Sequence, residues 1–184
     1  MSQMNGAQIG TVLSQLPVGH YVVAAADDDR RSGILTPWVQ RCANEPPLVV
    51  LAMPSGMPVE PLIHNRRAFG LCQVVAGDRL IQRSFTPPID INHDPFDLLS
   101  RRCGPLGSPI IDRAITAMEC ELVRTIDLDA DHRLYVGRVV AADVLRPELM
   151  VKPTEAFATM AAGLMPRNDV QGDADESARD DSRE

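Results

Sequence analysis

The amino-acid sequence predicts a mainly β fold with short helices, arranged as a closed or nearly closed barrel. At least five segments show the strand pattern, in which apolar and β-branched residues are bounded by turn-forming residues. The helical segments between them are too short and too few for a doubly wound α/β sheet. The chain has 184 residues, of which 45% are hydrophobic, and this suffices for one domain with a sizeable core.

The N-terminal region, residues 1–17, predicts a short helix packed on the barrel. Its apolar residues recur on one helical face, and Pro17 follows them as a stop. The residues on this face are Ile9, Val12, Leu13 and Leu16.

The first half of the barrel alternates extended segments with turns and one helix. Residues 20–26 indicate a strand, the charged run 27–33 a turn, and residues 34–43 a second extended segment. Residues 48–53 are apolar throughout, which favours a strand covered on both faces. The apolar side chains of residues 58–67 fall on one side of a short helix.

The second half begins with a strand over residues 69–75 and a short helix over residues 78–85. A loop rich in Pro and Asp then leads into a weakly helical piece at residues 96–102. Two long strands, residues 114–126 and 133–144, close the barrel through an Asp-rich turn.

The barrel domain is predicted to span residues 18–153, and an apolar helix over residues 154–166 follows it. Residues 167–184 contain seven acidic residues and three arginines, and they offer almost no apolar residue for burial. We therefore expect this acidic tail to be disordered.

Composition argues against several classes of function. The net charge is −7 and lysine is nearly absent, so no basic surplus favours binding to nucleic acid. No apolar run approaches the roughly 20 residues of a membrane span, and residues 1–10 lack the features of a secretory signal. The four cysteines show no close pairing, which indicates reduced thiols in a cytoplasmic protein.

No self-sufficient catalytic motif is present. The sequence has neither a G-x-G-x-x-G after a strand, nor a P-loop, nor the G-x-S-x-G of serine hydrolases. Its four histidines lack the spacing of metal ligands, so no metal site is predicted. If the protein is an enzyme, a bound cofactor therefore supplies the reactive atoms.

Five blocks of sequence, in order and spacing, resemble the flavin-reductase-like family, the FMN-binding split β-barrels that include flavoredoxins. The blocks are GILTPWVQRCANEPPLVV (33–50), AMPSGMPVEPLI (52–63), FGLCQVVAGDRLIQRSF (69–85), GSPIIDRAITAMECEL (107–122), and Asp131-His132 followed by LYVG (134–137). The resemblance covers roughly residues 18 to 145. It implies a split barrel that binds flavin mononucleotide (FMN) and uses no catalytic side chain of its own.

The same resemblance implies where the flavin lies. The positions along the flavin correspond to Leu35, Thr36, Pro37 and Trp38. Trp38 would form a wall for the ring, or else anchor the core or a dimer interface. His132 belongs to the segment tied to the nicotinamide in many reductases. It would contact the dinucleotide there, or else be a turn histidine capped by Asp131.

The turn near the flavin phosphate corresponds to Ser55, Gly56 and Met57, where many relatives carry Lys or Arg. Arg83, or the Arg66-Arg67 pair, would then replace the missing cation, or else these arginines are solvated residues at helix ends. Cys72 stands where relatives often have Asn, and a thiol is the weaker hydrogen-bond donor.

The implied function is an NAD(P)H-dependent flavin reductase-like oxidoreductase, in which hydride passes from nicotinamide to flavin. Two alternatives stay open: a flavin-binding electron-carrier module without its own nicotinamide site, and a flavin-free interaction scaffold. The missing cation and Cys72 favour the carrier. The family also implies a homodimer, and an electron-accepting partner protein would collect the electrons. The sequence leaves open the choice between NADH and NADPH, the electron acceptor, the retention of flavin and the role of the tail.

Overall fold

A computed structural model describes residues 6–89 and 93–151, so the predicted helix at 154–166 and the tail at 167–184 lie outside the described residues. The described part is mainly antiparallel sheet with short helices, which confirms the predicted fold class. Its helices are α1 (Gly6–Leu13), α2 (Val59–Arg66), α3 (Arg79–Phe85) and a short 3-10 helix (Pro147–Leu149). Its strands are β1 (Tyr21–Asp27), β2 (Arg30–Thr36), β3 (Val39–Ala43), β4 (Leu48–Pro54), β5 (Ala68–Gln73), β6 (Arg101–Cys103), β7 (Pro109–Ile111), β8 (Thr116–Asp127) and β9 (His132–Val144).

Seven strands form one sheet in the order β2-β1-β5-β8-β9-β4-β3. The two edge strands, β2 and β3, are consecutive in sequence and join at Pro37 and Trp38. The Thr36 hydroxyl donates to the Ala52 carbonyl at 2.8 Å, and the Ala52 N–H donates to the Trp38 carbonyl at 3.0 Å. The two ends of the sheet therefore meet at this corner, although the strand ladder is not closed.

The prediction of one extended segment over residues 34–43 was wrong, because Pro37 interrupts the ladder and divides the segment into β2 and β3. The predicted turn over residues 27–33 is also shorter than expected. Strand β2 begins at Arg30, and the reversal is confined to Asp28 and Asp29. Asp28 adopts φ 52°, a left-handed conformation that Asp tolerates better than most residues.

Residues 96–102 do not form the predicted helix. A turn buries Phe96 and Leu99 instead, and the Asp94 carboxylate accepts the Phe96 N–H at 2.9 Å. The chain then enters β6, which pairs only with β7 in a separate two-stranded sheet. Strands of three residues are too short to show a period of two in the sequence.

The buried apolar residues form two clusters. The first contains Phe69 and Tyr135 of the sheet together with the inner face of α2, and the second contains Phe85 and Phe96, whose ring centroids are 5.0 Å apart. Gly137 lies where β9 crosses the first cluster. A Cβ there would overlap the tip of the Phe69 ring and lie 2.8 Å from the Cβ of Cys120, so only glycine fits.

The apolar residues of the N-terminal segment do not join either core cluster of the single chain. Ile9, Val12, Leu13 and Leu16 are 42%, 66%, 58% and 60% exposed. None of the helices in the described residues has the length and apolar character that a membrane crossing needs.

Candidate functional site

The corner between β2 and β3 is shaped by Thr36. Its side chain is buried, donates to the Ala52 carbonyl and accepts the Trp38 N–H at 3.3 Å. The Thr36 hydroxyl is therefore engaged both as a donor and as an acceptor within the protein. These two hydrogen bonds fix the corner and with it the neighbouring residues Leu35, Pro37 and Trp38.

A polar groove of about 710 Å³ runs beside this corner. We use this name for the surface that Leu35, Thr36 and Pro37 of the corner form together with Arg79, Gln82 and Arg83 of α3. His20 and Thr86 complete its lining. The volume is within the range of small-molecule sites, which is roughly 300–1,000 Å³. Four of the predicted cofactor-binding residues therefore share one groove.

Helix α3 brings two arginines to the polar groove. The helix begins after Asp78, whose carboxylate accepts the N–H groups of Leu80 and Ile81 at 3.1 and 3.3 Å. Arg79 and Arg83 are four residues apart and therefore lie on the same face. Neither guanidinium has an ion pair or hydrogen bond with any of the residues that the structure describes. Among the described residues, the groove thus carries positive charge without a paired carboxylate.

The bend at Ser55, Gly56 and Met57 is held from within the protein. The Ser55 N–H donates to the Asp131 carbonyl at 3.0 Å, and the Met57 N–H donates to the Glu60 carboxylate at 2.8 Å. Gly56 has φ 84°, which glycine adopts without strain. Two backbone N–H groups of this bend are therefore already engaged within the protein, and the role of the bend in flavin binding stays a prediction.

Trp38 and His132 meet at the same corner. Their ring centroids are 4.7 Å apart in an edge-on arrangement, and the Trp38 side chain remains 49% exposed. The His132 ring lies 3.0 Å, Nδ1 to Oδ1, from the Asp131 carboxylate. This hydrogen bond lowers the pKa of Asp131. The predicted flavin wall and the predicted nicotinamide contact are thus direct neighbours.

An apolar groove of about 520 Å³ shares Pro37 with the polar groove. We use this name for the surface lined by Leu13, Leu16, Trp38, Val39, Val50 and Leu134. The exposed face of the N-terminal segment therefore borders the groove that contains Trp38.

Cys72 is not brought to either groove. Its thiol is fully buried in the second core cluster and accepts the Ile111 N–H at 3.4 Å. Burial raises the pKa of this thiol to about 11. The predicted flavin-edge role of Cys72 is not supported by any contact in the structure, and it stays a prediction.

Sequence reasoning missed Arg79, Gln82 and His20 in the polar groove, and it missed Glu60 behind the bend. The spacing of four between Arg79 and Arg83 was a usable signal. Glu60 follows Met57 by three residues, the spacing at which a carboxylate returns to a backbone N–H at a helix start.

The chain matches the model of the family described as flavin reductase like domain over residues 13–157. It is 33% identical over 128 residues to a diflavin flavoprotein A 4 of Synechocystis sp., covering 68% of this chain and 21% of that protein. It is 27% identical over 146 residues to a diflavin flavoprotein A 3 of Nostoc sp., covering 76% of this chain and 25% of that protein. The chain thus spans about a quarter of the length of these curated relatives or less.

Among solved structures, the fold is similar to an NADH:FAD oxidoreductase of Streptomyces globisporus, with TM-score 0.68, 22% identity, and coverage of 78% of this chain and 86% of that chain. It is also similar to an FMN-binding protein from Thermus thermophilus, with TM-score 0.66, 24% identity, and coverage of 74% and 75%. At these identities, the likeness concerns the fold.

Proposed function

Because the chain belongs to the flavin reductase-like domain family, we propose that it binds FMN at the β2–β3 corner and receives a hydride there from NADH or NADPH. The observation that carries this proposal is that Arg79 and Arg83, which pair with none of the described residues, line one groove together with Leu35, Thr36 and Pro37.

The phosphate of FMN is assigned to the α3 side of the polar groove. Guanidinium groups bind phosphate through charge-assisted hydrogen bonds that are stronger than those between neutral groups. Arg79 and Arg83 line the groove, while the N–H groups of Ser55 and Met57 are used internally. The arginines therefore replace the cation that many relatives have near the bend.

The flavin ring is assigned to the Pro37–Trp38 end of the corner. An isoalloxazine needs a flat apolar wall, and an indole that is half exposed beside a proline offers one. Pro37 lines both grooves, so Trp38 in the apolar groove adjoins the polar groove through this proline.

When bound, the flavin accepts a hydride from the reduced nicotinamide and later releases two electrons to an acceptor. The protein contributes orientation. We assign the nicotinamide contact to His132, since its ring is hydrogen-bonded to Asp131 and packs edge-on against Trp38, the proposed flavin wall.

A second candidate is an electron-carrier domain without its own nicotinamide site. Its support is the length of the relatives, in which a domain of this kind accounts for a quarter of the chain or less. In that case a partner protein would exchange electrons with the bound flavin.

The proposal includes a homodimer. The exposed apolar residues Leu13 and Leu16 line the apolar groove, Val12 beside them is exposed too, and an exposed apolar surface of this kind typically marks a protein interface. A second copy would cover this surface.

The test is an anaerobic titration of the FMN-loaded protein with NADH and, separately, with NADPH. Bleaching of the flavin absorbance within the turnover time of a reductase supports the enzyme. Loaded protein that is bleached by dithionite but by neither nicotinamide supports the carrier instead. Protein that takes up no flavin leaves only the scaffold.

A further inference from the structure

Glu60 is an almost fully buried carboxylate, 5% exposed, that lies outside both grooves. A buried charge is costly unless it is paired, so its partners show what it does. One oxygen, Oε1, accepts the Met57 N–H at 2.8 Å. The other, Oε2, accepts from Arg133 Nη1 at 3.0 Å and from the Tyr135 hydroxyl at 2.8 Å.

The partners of Glu60 belong to two segments of the candidate site, the 55–57 bend and the start of β9. Met57 ends the bend that follows β4, and the Glu60 N–H returns a hydrogen bond to the Met57 carbonyl at 3.0 Å. Arg133 and Tyr135 belong to β9 and lie opposite Met53 and Leu51 of β4. Glu60 therefore joins the bend to the start of β9.

His132 lies in the chain between two residues that are held by hydrogen bonds, Asp131 and Arg133. On one side, the Asp131 carbonyl accepts the Ser55 N–H at 3.0 Å. On the other, the Arg133 guanidinium bridges the Glu60 and Asp127 carboxylates, at 3.0 and 3.1 Å. The backbone that carries the His132 ring is thus fixed from both directions, and Glu60 supplies one of the two anchors.

The Tyr135 hydroxyl completes the site around Glu60. Burial, followed by the hydrogen bond to Glu60, raises the pKa of Tyr135. The hydroxyl therefore stays protonated and donates a hydrogen bond to the Glu60 carboxylate. The Glu60 carboxylate thus accepts three hydrogen bonds, which favours one arrangement of its partners over alternatives.

We propose that Glu60 is a positioning residue: through the Met57 N–H, Arg133 and Tyr135 it sets the place of the 55–57 bend and of the His132 ring against Trp38. The importance of this placement for flavin and nicotinamide rests on the proposed function. The placement itself does not, since it is a property of the free protein.

The test uses the full chain without flavin and the fluorescence of Trp38, the one tryptophan of the sequence. The variant His132→Ala gives the emission of Trp38 without its ring neighbour. We expect Glu60→Ala to shift the emission from the wild-type value toward that of His132→Ala. Glu119→Ala is the matched control, because Glu119 is also a buried carboxylate, 2% exposed, that accepts two backbone N–H groups, from Leu106 and Ser108.

Both alanine variants should lower the melting temperature, because each leaves buried donors without a partner. Only Glu60→Ala should change the emission.

Wild-type emission in Glu60→Ala, or an equal shift in Glu119→Ala, would overturn the inference. A wild-type chain that binds no FMN would sink the proposed function and leave the comparison of emissions intact. Should Glu60→Ala fail to fold, Glu60→Gln takes its place, since it keeps an acceptor for the Met57 N–H and removes the charge that holds Arg133. Its emission should lie between the wild type and His132→Ala, and an unchanged emission counts against the inference.

Discussion

At the scale of single residues, the polar groove has two guanidinium groups that no described residue neutralises, Arg79 and Arg83. The sequence led to Arg83 as a substitute for a missing cation. It gave no means to choose between this residue and the Arg66-Arg67 pair, because the choice depends on which helix faces the corner. In the structure, Arg66 donates to the Leu106 carbonyl and Arg67 to the Leu122 carbonyl, so both are engaged elsewhere.

Replacing Arg83 by Ala should weaken the binding of FMN by about tenfold or more, the loss of a charge-assisted contact to the phosphate. Riboflavin, which has no phosphate, should bind the variant and the wild type alike. Isothermal titration with both ligands measures the difference. Arg30→Ala is the control, since this exposed arginine begins β2 at the end remote from Thr36. Equal losses for FMN and riboflavin would show that Arg83 does not bind the phosphate.

The four cysteines should divide into two classes of reactivity. Burial raises the pKa of Cys72 to about 11 and that of Cys120 to about 12, whereas Cys42 and Cys103 are exposed. Because the thiolate is the nucleophile, only the exposed pair should react rapidly with a disulfide reagent near pH ~8. All four should react after unfolding in urea. Rapid labelling of Cys72 in the native protein would contradict its placement in the core.

The same shifts predict a dependence of stability on pH. A raised pKa means that the folded chain holds the thiol proton more tightly than the unfolded chain. This contribution is complete below the ordinary thiol pKa of 9.0 and is lost as the pH rises toward the folded values of about 11 and 12. Urea unfolding of Cys72→Ala should show a smaller loss of stability over this interval than the wild type does.

At the scale of elements, the sequence predicted long elements well and short ones poorly. β8 and β9 show clear strand patterns over more than ten residues, and α3 begins at an Asp that caps it in the structure. The β6–β7 pair has strands of only three residues, so its pattern could not be distinguished from a loop. The contact of Trp38 with His132 depends on the pairing of β4 with β9, which no local pattern encodes.

The glycine of β9 gives a prediction at this scale. Gly137→Ala should lower the free energy of unfolding by about 1–3 kcal/mol, the usual cost of overpacking a core, because Phe69 and Cys120 are buried and cannot withdraw. Gly10→Ala is the control, since nothing lies within 4 Å of a Cβ at that position of α1. Urea unfolding compares the two. A Gly137→Ala variant as stable as the wild type would show that the core yields at this point.

At the scale of the whole molecule, the apolar residues of the N-terminal segment raise the question of what covers them. The sequence predicted that they pack on the barrel, and in the single chain they stay largely exposed while Leu13 and Leu16 line the apolar groove. The proposed homodimer would explain why apolar residues recur on this face without joining the core.

Val12→Glu should therefore convert a dimer into a monomer in light scattering coupled to size-exclusion chromatography, because it places a charge at a residue that is 66% exposed on this face. Val151→Glu introduces the same charge at an exposed residue away from α1 and should leave the mass unchanged. A wild-type chain that elutes as a monomer at all concentrations would refute the dimer.

The most direct test of the account is the absorbance of the purified protein, freed of flavin and then titrated with FMN. The grooves at the β2–β3 corner predict saturable uptake of one FMN per chain at micromolar concentration, with a perturbed flavin spectrum and quenching of Trp38 fluorescence. A protein that stays colourless, with unchanged Trp38 emission at the same concentrations, would contradict the claim that this corner binds a flavin.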